Sequence, residues 1–266
     1  MAAEYDHTDA FRESRFTEAD FAGAQFRDCD LSRVKITDSW LVGTSVSGMV
    51  DNLLVNDVDV TAFVSAELDN RHPERVQLRE VRSAEDYRAM WRTIERMWAR
   101  GAARVERLPD TARHERVDGE WSFVETTRHL IFATDAWASR TVLDQPMPYH
   151  RLGLTQTTYP PADAAGLGLE IDARPSYAEV MAVRADRQAL VRGILERLTD
   201  AELERVCPRA PAPGYPDKER TVGNCLAVVL DEECEHYRYA MRDLAVLELR
   251  ADGGLRASGI SSAAVL

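Results

Sequence analysis

Between residues 11 and 46 a bulky apolar side chain returns at every fifth position, as Phe11, Phe16, Phe21, Phe26, Leu31, Ile36, Leu41 and Val46. Small residues stand two places before many of them: Ser14, Ala19, Ala24, Cys29, Ser39 and Thr44. Neither regular element accounts for this period. A helix with about 3.6 residues per turn scatters a fifth-residue series around its circumference. A strand, with side chains alternating between its two faces, sends successive members to opposite sides.

With its ADF and CDL units, the stretch over residues 9–50 resembles the pentapeptide-repeat family, and its VKI and SVS units depart from the pattern near the end. The resemblance implies a short right-handed quadrilateral β-solenoid with the fifth-residue side chains inside. Stacked repeats bury an apolar ladder that no single repeat can hide, and the open end of such a stack needs a cap or a docking surface. A structural cap or protein-contact platform is the expected role. The family also includes rigid DNA mimics that act on topoisomerases, but nothing else in this short array points that way.

After residue 50 the rhythm changes. Residues 51–73 read as a connector with a helix, closed by Pro73. Ser83 and Asp86 are placed to cap a helix whose stripe includes Met90, Ile94 and Met97, and Trp91 and Trp98 read as packing groups. Further helical patterns run from Trp121 to Leu143, from Tyr177 to Arg197 and from Val222 to Leu249, separated by two proline-containing connections. Four long helices with substantial crossovers predict a four-helix bundle over residues 74–251, followed by a flexible tail over 252–266.

The formal net charge of -12 and pI near 5.0 disfavour nonspecific binding to nucleic acid or an anionic membrane. No apolar run reaches the roughly 18 residues of a membrane span, and the N-terminus lacks the basic and apolar sections of a signal peptide. A cytoplasmic protein acting on small molecules or meeting protein partners is the expectation. The cysteines Cys29, Cys207, Cys225 and Cys234 form no CxxC pair and read as dispersed thiols. Cys225 and Cys234 have no evident base or redox mate nearby in sequence.

Polar residues interrupt the apolar rhythm at His129 and, four residues apart on one helical face, at Glu232 and His236. Two imidazoles and a carboxylate suit a divalent metal with an open position. Read alone, His129 is equally a hydrogen-bonded core histidine, and Glu232 with His236 a solvated pair. Glu233 is a rival carboxylate, and Asp135 either supports a ligand or faces water.

Residues 70–250, most clearly WSFVETTRHLIFATDAW and EECEHYRYAMRDLAVLE, resemble the DinB-like metalloenzyme superfamily and its maleylpyruvate-isomerase-like branch. The resemblance implies a metal site built from a histidine of the second bundle helix and an acid-or-histidine, three-spacer, histidine pair of the fourth. The matching residues here are His129, Glu232 and His236. The expected fold is therefore predominantly α, a DinB-like four-helix bundle with the short N-terminal β-solenoid.

The resemblance further implies a divalent-metal-dependent enzyme, with zinc first and nickel or iron compatible with the same donors, and with a low-molecular-weight thiol as cosubstrate for S-transfer or isomerisation. Arg238 and Arg242 are candidates for orienting an anionic substrate, Asp243 for pairing with an arginine. Tyr237 and Tyr239 offer a polar rim, and Trp121 and Trp137 either line a pocket or, by the stronger reading, pack the core. A metal-dependent hydrolase and a non-enzymatic metal-stabilised scaffold are the alternatives. A homodimer and a protein contact through the solenoid complete the expected partners.

Overall fold

The computed structural model describes residues 3–251, and the expected tail over 252–266 lies outside the described residues. The chain divides between Val46 and Ser47 into two compact units.

In the first unit the five-residue sequence period is also a backbone period. Glu13, Glu18, Gly23, Asp28, Arg33, Asp38 and Gly43 all take positive φ. Between these corners Asp20 and Asp30 accept the backbone N–H of Ala22 and Ser32 at 2.9 Å each, the Asx-turn bond that aspartate favours. Ladder rings touch in sequence, with centroids 4.8 Å apart for Tyr5 and Phe11 and 5.2 Å for Phe16 and Phe21. Phe11 is 43 % exposed and Val46 69 %, against 96 % for the outward Trp40. No residue of this unit is in a strand among the described residues, so the β-ladder expected of a solenoid does not appear. The apolar positions of the period stay about half exposed, from 43 % at Phe11 to 69 % at Val46.

The second unit begins with a small hairpin, β1 (Leu54–Val55) against β2 (Val58–Asp59), Leu54 opposite Asp59. Asn56 and Asp57 both take positive φ between the strands, as a two-residue turn matched to strand twist requires. Helices α1 (Thr61–Arg71) and α2 (Glu74–Arg79) follow, the second entered through Pro73.

Four long helices form the body: α3 (Ala84–Val105), α4 (Phe123–Thr134), α6 (Tyr177–Arg197) and α8 (Val222–Ala251), with short α5 (Pro161–Gly166) and α7 (Asp200–Leu203) in the connections. Three of the long helices start at a capping box, in which a serine accepts the N3 backbone N–H and the N3 acid accepts the serine's own: Ser83 with Asp86, Ser122 with Glu125, Ser176 with Glu179. The predicted stripe on α3 is buried, with Met90 and Ile94 at 0 % exposure, and Trp91 and Trp98 pack in the same core. Beyond Thr134 the second bundle helix continues as a π-helix over Asp135–Val142.

The connection after that helix is nailed down by a buried arginine. Arg128 donates to the carbonyls of Leu152 at 2.9 Å, Ala173 at 2.8 Å and Glu170 at 2.7 Å. A second, smaller core of Phe132, Tyr159, Leu167 and Leu169 lies under this crossover. The later, proline-rich connection over 204–221 is held to it: the hydroxyl of Tyr149 donates to Pro211 O and that of Tyr159 to Pro213 O.

Candidate metal centre

His129 sits in the second turn of α4, whose start is fixed by the Ser122–Glu125 box. Its Nδ1 lies 2.9 Å from the carbonyl oxygen of Leu154 in the crossover. A carbonyl only accepts, so the tautomer that suits this contact carries its proton on Nδ1 and leaves a lone pair on Nε2. That Nε2 faces Glu232 Oε2 at 3.2 Å. His236, one turn further along α8, sets Nδ1 2.9 Å from the backbone oxygen of Glu232 and 3.2 Å from its Oε2. Ligand atoms of His129, Glu232 and His236 all lie within 4.8 Å of one another.

This donor set fits a divalent ion. A ring lone pair and a carboxylate oxygen 3.2 Å apart repel unless a proton or a cation sits with them. With ligand bonds of about 2.0–2.2 Å, two donors on one ion stand roughly 3–3.5 Å apart. Both imidazoles are oriented by carbonyl acceptors, the arrangement that holds a metal-binding ring in place. Burial first, with the neighbouring His129 second, pushes the His236 imidazole down to about 4, so it stays neutral, as a ligand must be. Burial pushes the Glu232 carboxyl up, but the neighbouring imidazoles of His129 and His236 bring it below its ordinary value.

The rival carboxylate is occupied elsewhere. Glu233 is buried against Arg184, which lies over the Trp98 ring at 5.8 Å. Asp135 neither supports a ligand nor faces water: it is 1 % exposed and takes Arg187 Nε at 2.7 Å and His150 N at 2.8 Å.

Trp121 stands against both imidazoles, with centroids 4.9 Å from His129 and 6.2 Å from His236. Its sequence context favoured core packing, and only the fold of the loop before α4 brings it here. Trp137 packs against Tyr215 and beneath Arg220. Tyr237 turns into the core against Trp98 at 5.4 Å, while Tyr239 sets its ring edge toward His236 at 6.2 Å. Arg238 and Arg242 both lie over the Tyr239 ring, at 4.5 and 5.6 Å. Each is paired with a carboxylate on its own helix, Arg238 with Glu235 at 2.5 Å and Arg242 with Asp243 at 2.7 Å.

One contact had no local signal in the sequence. The Leu154 carbonyl comes from a crossover whose path Arg128 sets through bonds to distant carbonyls.

No curated protein and no solved structure matches this chain. Residues 11–48 match the model for pentapeptide repeats in eight copies. Residues 93–240, more than half of the chain and the span holding His129, Glu232 and His236, match the model for the DinB superfamily. The chain belongs to the DinB superfamily.

Proposed function

We propose that this protein is a divalent-metal-dependent enzyme acting on a small molecule, with thiol-dependent S-transfer or isomerisation as its reaction. The observation that carries the reading is the convergence of two imidazoles and one carboxylate, each imidazole held by a carbonyl at 2.9 Å. Superfamily members bind divalent metals. A bound ion would supply Lewis acidity, lowering the proton affinity of a thiol or water. Zinc suits the nitrogen and oxygen donors, and nickel or iron would suit them as well.

His129, Glu232 and His236 would hold the ion. Three protein donors, as in catalytic zinc sites, leave a position for an exogenous group, where a purely structural site would close with a fourth. That favours an enzyme over a metal-stabilised scaffold, and a metal-dependent hydrolase would use the same three residues. Trp121 and Tyr239, whose rings lie against the imidazoles, would shield them from water. Arg238 and Arg242 would orient an anionic substrate by exchanging Glu235 or Asp243 for it. The N-terminal repeat is assigned a right-handed four-sided solenoid that meets a protein partner, and the chain a homodimeric state that light scattering would reveal.

The first test is metal content by elemental mass spectrometry after purification without added nickel, comparing wild type with His129→Ala and His236→Ala. About one equivalent of divalent metal in wild type and loss of metal retention in each variant are expected. A folded wild-type protein that neither retains nor rebinds any divalent ion would overturn the reading. Turnover with thiol and electrophile pairs then separates transfer from hydrolysis.

A further inference from the structure

The crossover that supplies the Leu154 carbonyl makes one tight turn before it reaches His129. His150 O accepts the Gly153 N–H at 2.8 Å, and a Cβ at position 153 would stand 3.2 Å from that oxygen and 3.3 Å from Phe132 Cβ on α4. The turn is therefore packed hard against the helix that carries His129. Inside it, the N–H of the buried Leu152 donates to His150 Nδ1 at 3.2 Å. The His150 N–H itself donates to Asp135 Oδ2 at 2.8 Å, and Asp135 is held by Arg187. On the far side, Leu152 O accepts from Arg128 Nε at 2.9 Å, the Leu154 N–H donates to Arg128 O at 3.1 Å, and Leu154 O meets His129 Nδ1 at 2.9 Å.

An imidazole nitrogen accepts from an N–H only while it carries no proton. The Leu152 bond therefore requires a neutral His150 with Nδ1 bare. A proton there would set two N–H groups against each other and strand the Leu152 N–H without an acceptor in the core. The charged groups around the ring are Asp135 from the π-helix, Arg187 and Asp186 from α6, and Arg151 from the turn itself. Burial first, then Arg187, hold the His150 imidazole below its ordinary value. The bond is thus complete above the ordinary histidine value of 6.5 and is lost as pH falls through the lower value of the folded chain.

We propose that His150 is a positioning residue for the metal centre: its neutral ring closes the turn that sets the Leu154 carbonyl on His129, and its protonation releases that turn and weakens metal binding. This rests on His129, Glu232 and His236 as the metal ligands. The coupling is reciprocal, so a bound ion makes His150 harder to protonate.

The test titrates zinc into the full metal-free chain against a chromogenic chelator at about pH 7.5 and about pH 5.5, either side of the ordinary histidine value, for wild type, His150→Ala and His150→Asn. Asparagine offers an oxygen to the N–H two residues on and does not titrate. At the higher pH His150→Ala is expected to bind zinc roughly tenfold more weakly, the scale of a lost outer partner of a ligand, and His150→Asn to stay within about threefold of wild type. The ligand imidazoles titrate alike in wild type and His150→Asn, so the extra loss of about two- to threefold expected in wild type at the lower pH belongs to His150. Equal affinities in all three chains, failure of asparagine to restore what alanine loses, or parallel pH profiles in wild type and His150→Asn would each overturn the proposal. Amide exchange of the metal-free chain separates the turn from the ion: protection of the Leu152 N–H should fall several-fold as His150 protonates and stay constant in His150→Asn. Constant protection in wild type would overturn the proposal whatever the zinc result. A wild type that loses this protection but binds no zinc would sink the metal reading and the positioning role with it, leaving only a pH-sensitive turn.

Discussion

On α8 a step of one residue turns a side chain by about 100°, which sends Glu232 toward the imidazoles and Glu233 into the core against Arg184. The two glutamates should therefore fail differently. Glu233→Gln leaves the Arg184 guanidinium buried without its counter-charge and should cost roughly 3–5 kcal/mol in urea unfolding. Glu232→Gln, at a side chain 29 % exposed, should cost little stability and abolish metal retention; equal stability losses in both would sink this division of roles. A second test concerns pH. Burial first, then the neighbouring Cys207, pushes the Cys225 thiol from 9.0 up to about 12. The folded chain then keeps a proton that the unfolded chain has lost, so the stability from this group is complete below pH 9.0 and drains as pH rises toward 12. The slope is at most about 1.4 kcal/mol per pH unit, and Cys225→Ala should flatten the urea midpoint over that window; an unchanged slope would count against it. Glu232 and His236 were legible as candidates because four-residue spacing fixes a shared face, and His129 because it interrupts an apolar run and matches the histidine that the family resemblance implies. Trp121 was not assignable, since a tryptophan ahead of a helix packs a core or faces a site according to a loop path that its neighbours do not encode.

The helices were the most legible elements, because each announces itself twice, by an apolar stripe and by a start signal. The Ser83 and Asp86 cap read from the sequence is present as a full capping box, and Ser122 and Ser176 repeat it. The box at Ser122 sets the phase of the helix that carries His129, so Ser122→Ala should lower stability by about 1 kcal/mol. It should also loosen metal binding measurably in a chelator competition, whereas Ser176→Ala, heading a helix without a ligand, should cost similar stability and leave affinity alone. Matching affinity losses in the two variants would show that the effect is global. The π-helix over Asp135–Val142 was beyond sequence reading. Its hydrophobic pattern continues that of α4, and what distinguishes it is tertiary: Asp135 is drawn inward by Arg187 and the His150 N–H, and Thr141 Oγ1 donates to Ala136 O, five residues back, at 2.9 Å. The repeat showed the reverse failure. Its period returns as positive φ at every fifth residue from Glu13 to Gly43, but the solenoid strands implied by the family resemblance do not appear among the described residues.

At the scale of the whole molecule, the division between Val46 and Ser47 separates two kinds of stability. The repeat is a local structure, held by Asx turns and ring contacts between successive corners, with its ladder residues half exposed. The helical unit holds the main core, the buried Glu233–Arg184 pair and every group that orients the candidate metal centre, including the Leu154 carbonyl. A domain with its own core folds by itself, so a chain beginning at Ser47 should keep a cooperative helical melt. Its zinc affinity should stay within about threefold of the full protein, since no orienting bond is lost. Titration with zinc against a chromogenic chelator, with circular dichroism melts of both chains, measures this directly. A drop in affinity beyond about tenfold, equivalent to about 1.4 kcal/mol, would mean that the repeat contributes to the site itself. Loss of the cooperative melt would mean that the helical unit draws its stability from the repeat. An unchanged site would instead leave the repeat free to evolve as a contact surface, with its outward Trp40 and Val42, 96 % and 92 % exposed, as the positions where Trp40→Ala and Val42→Ser should change association without altering metal content.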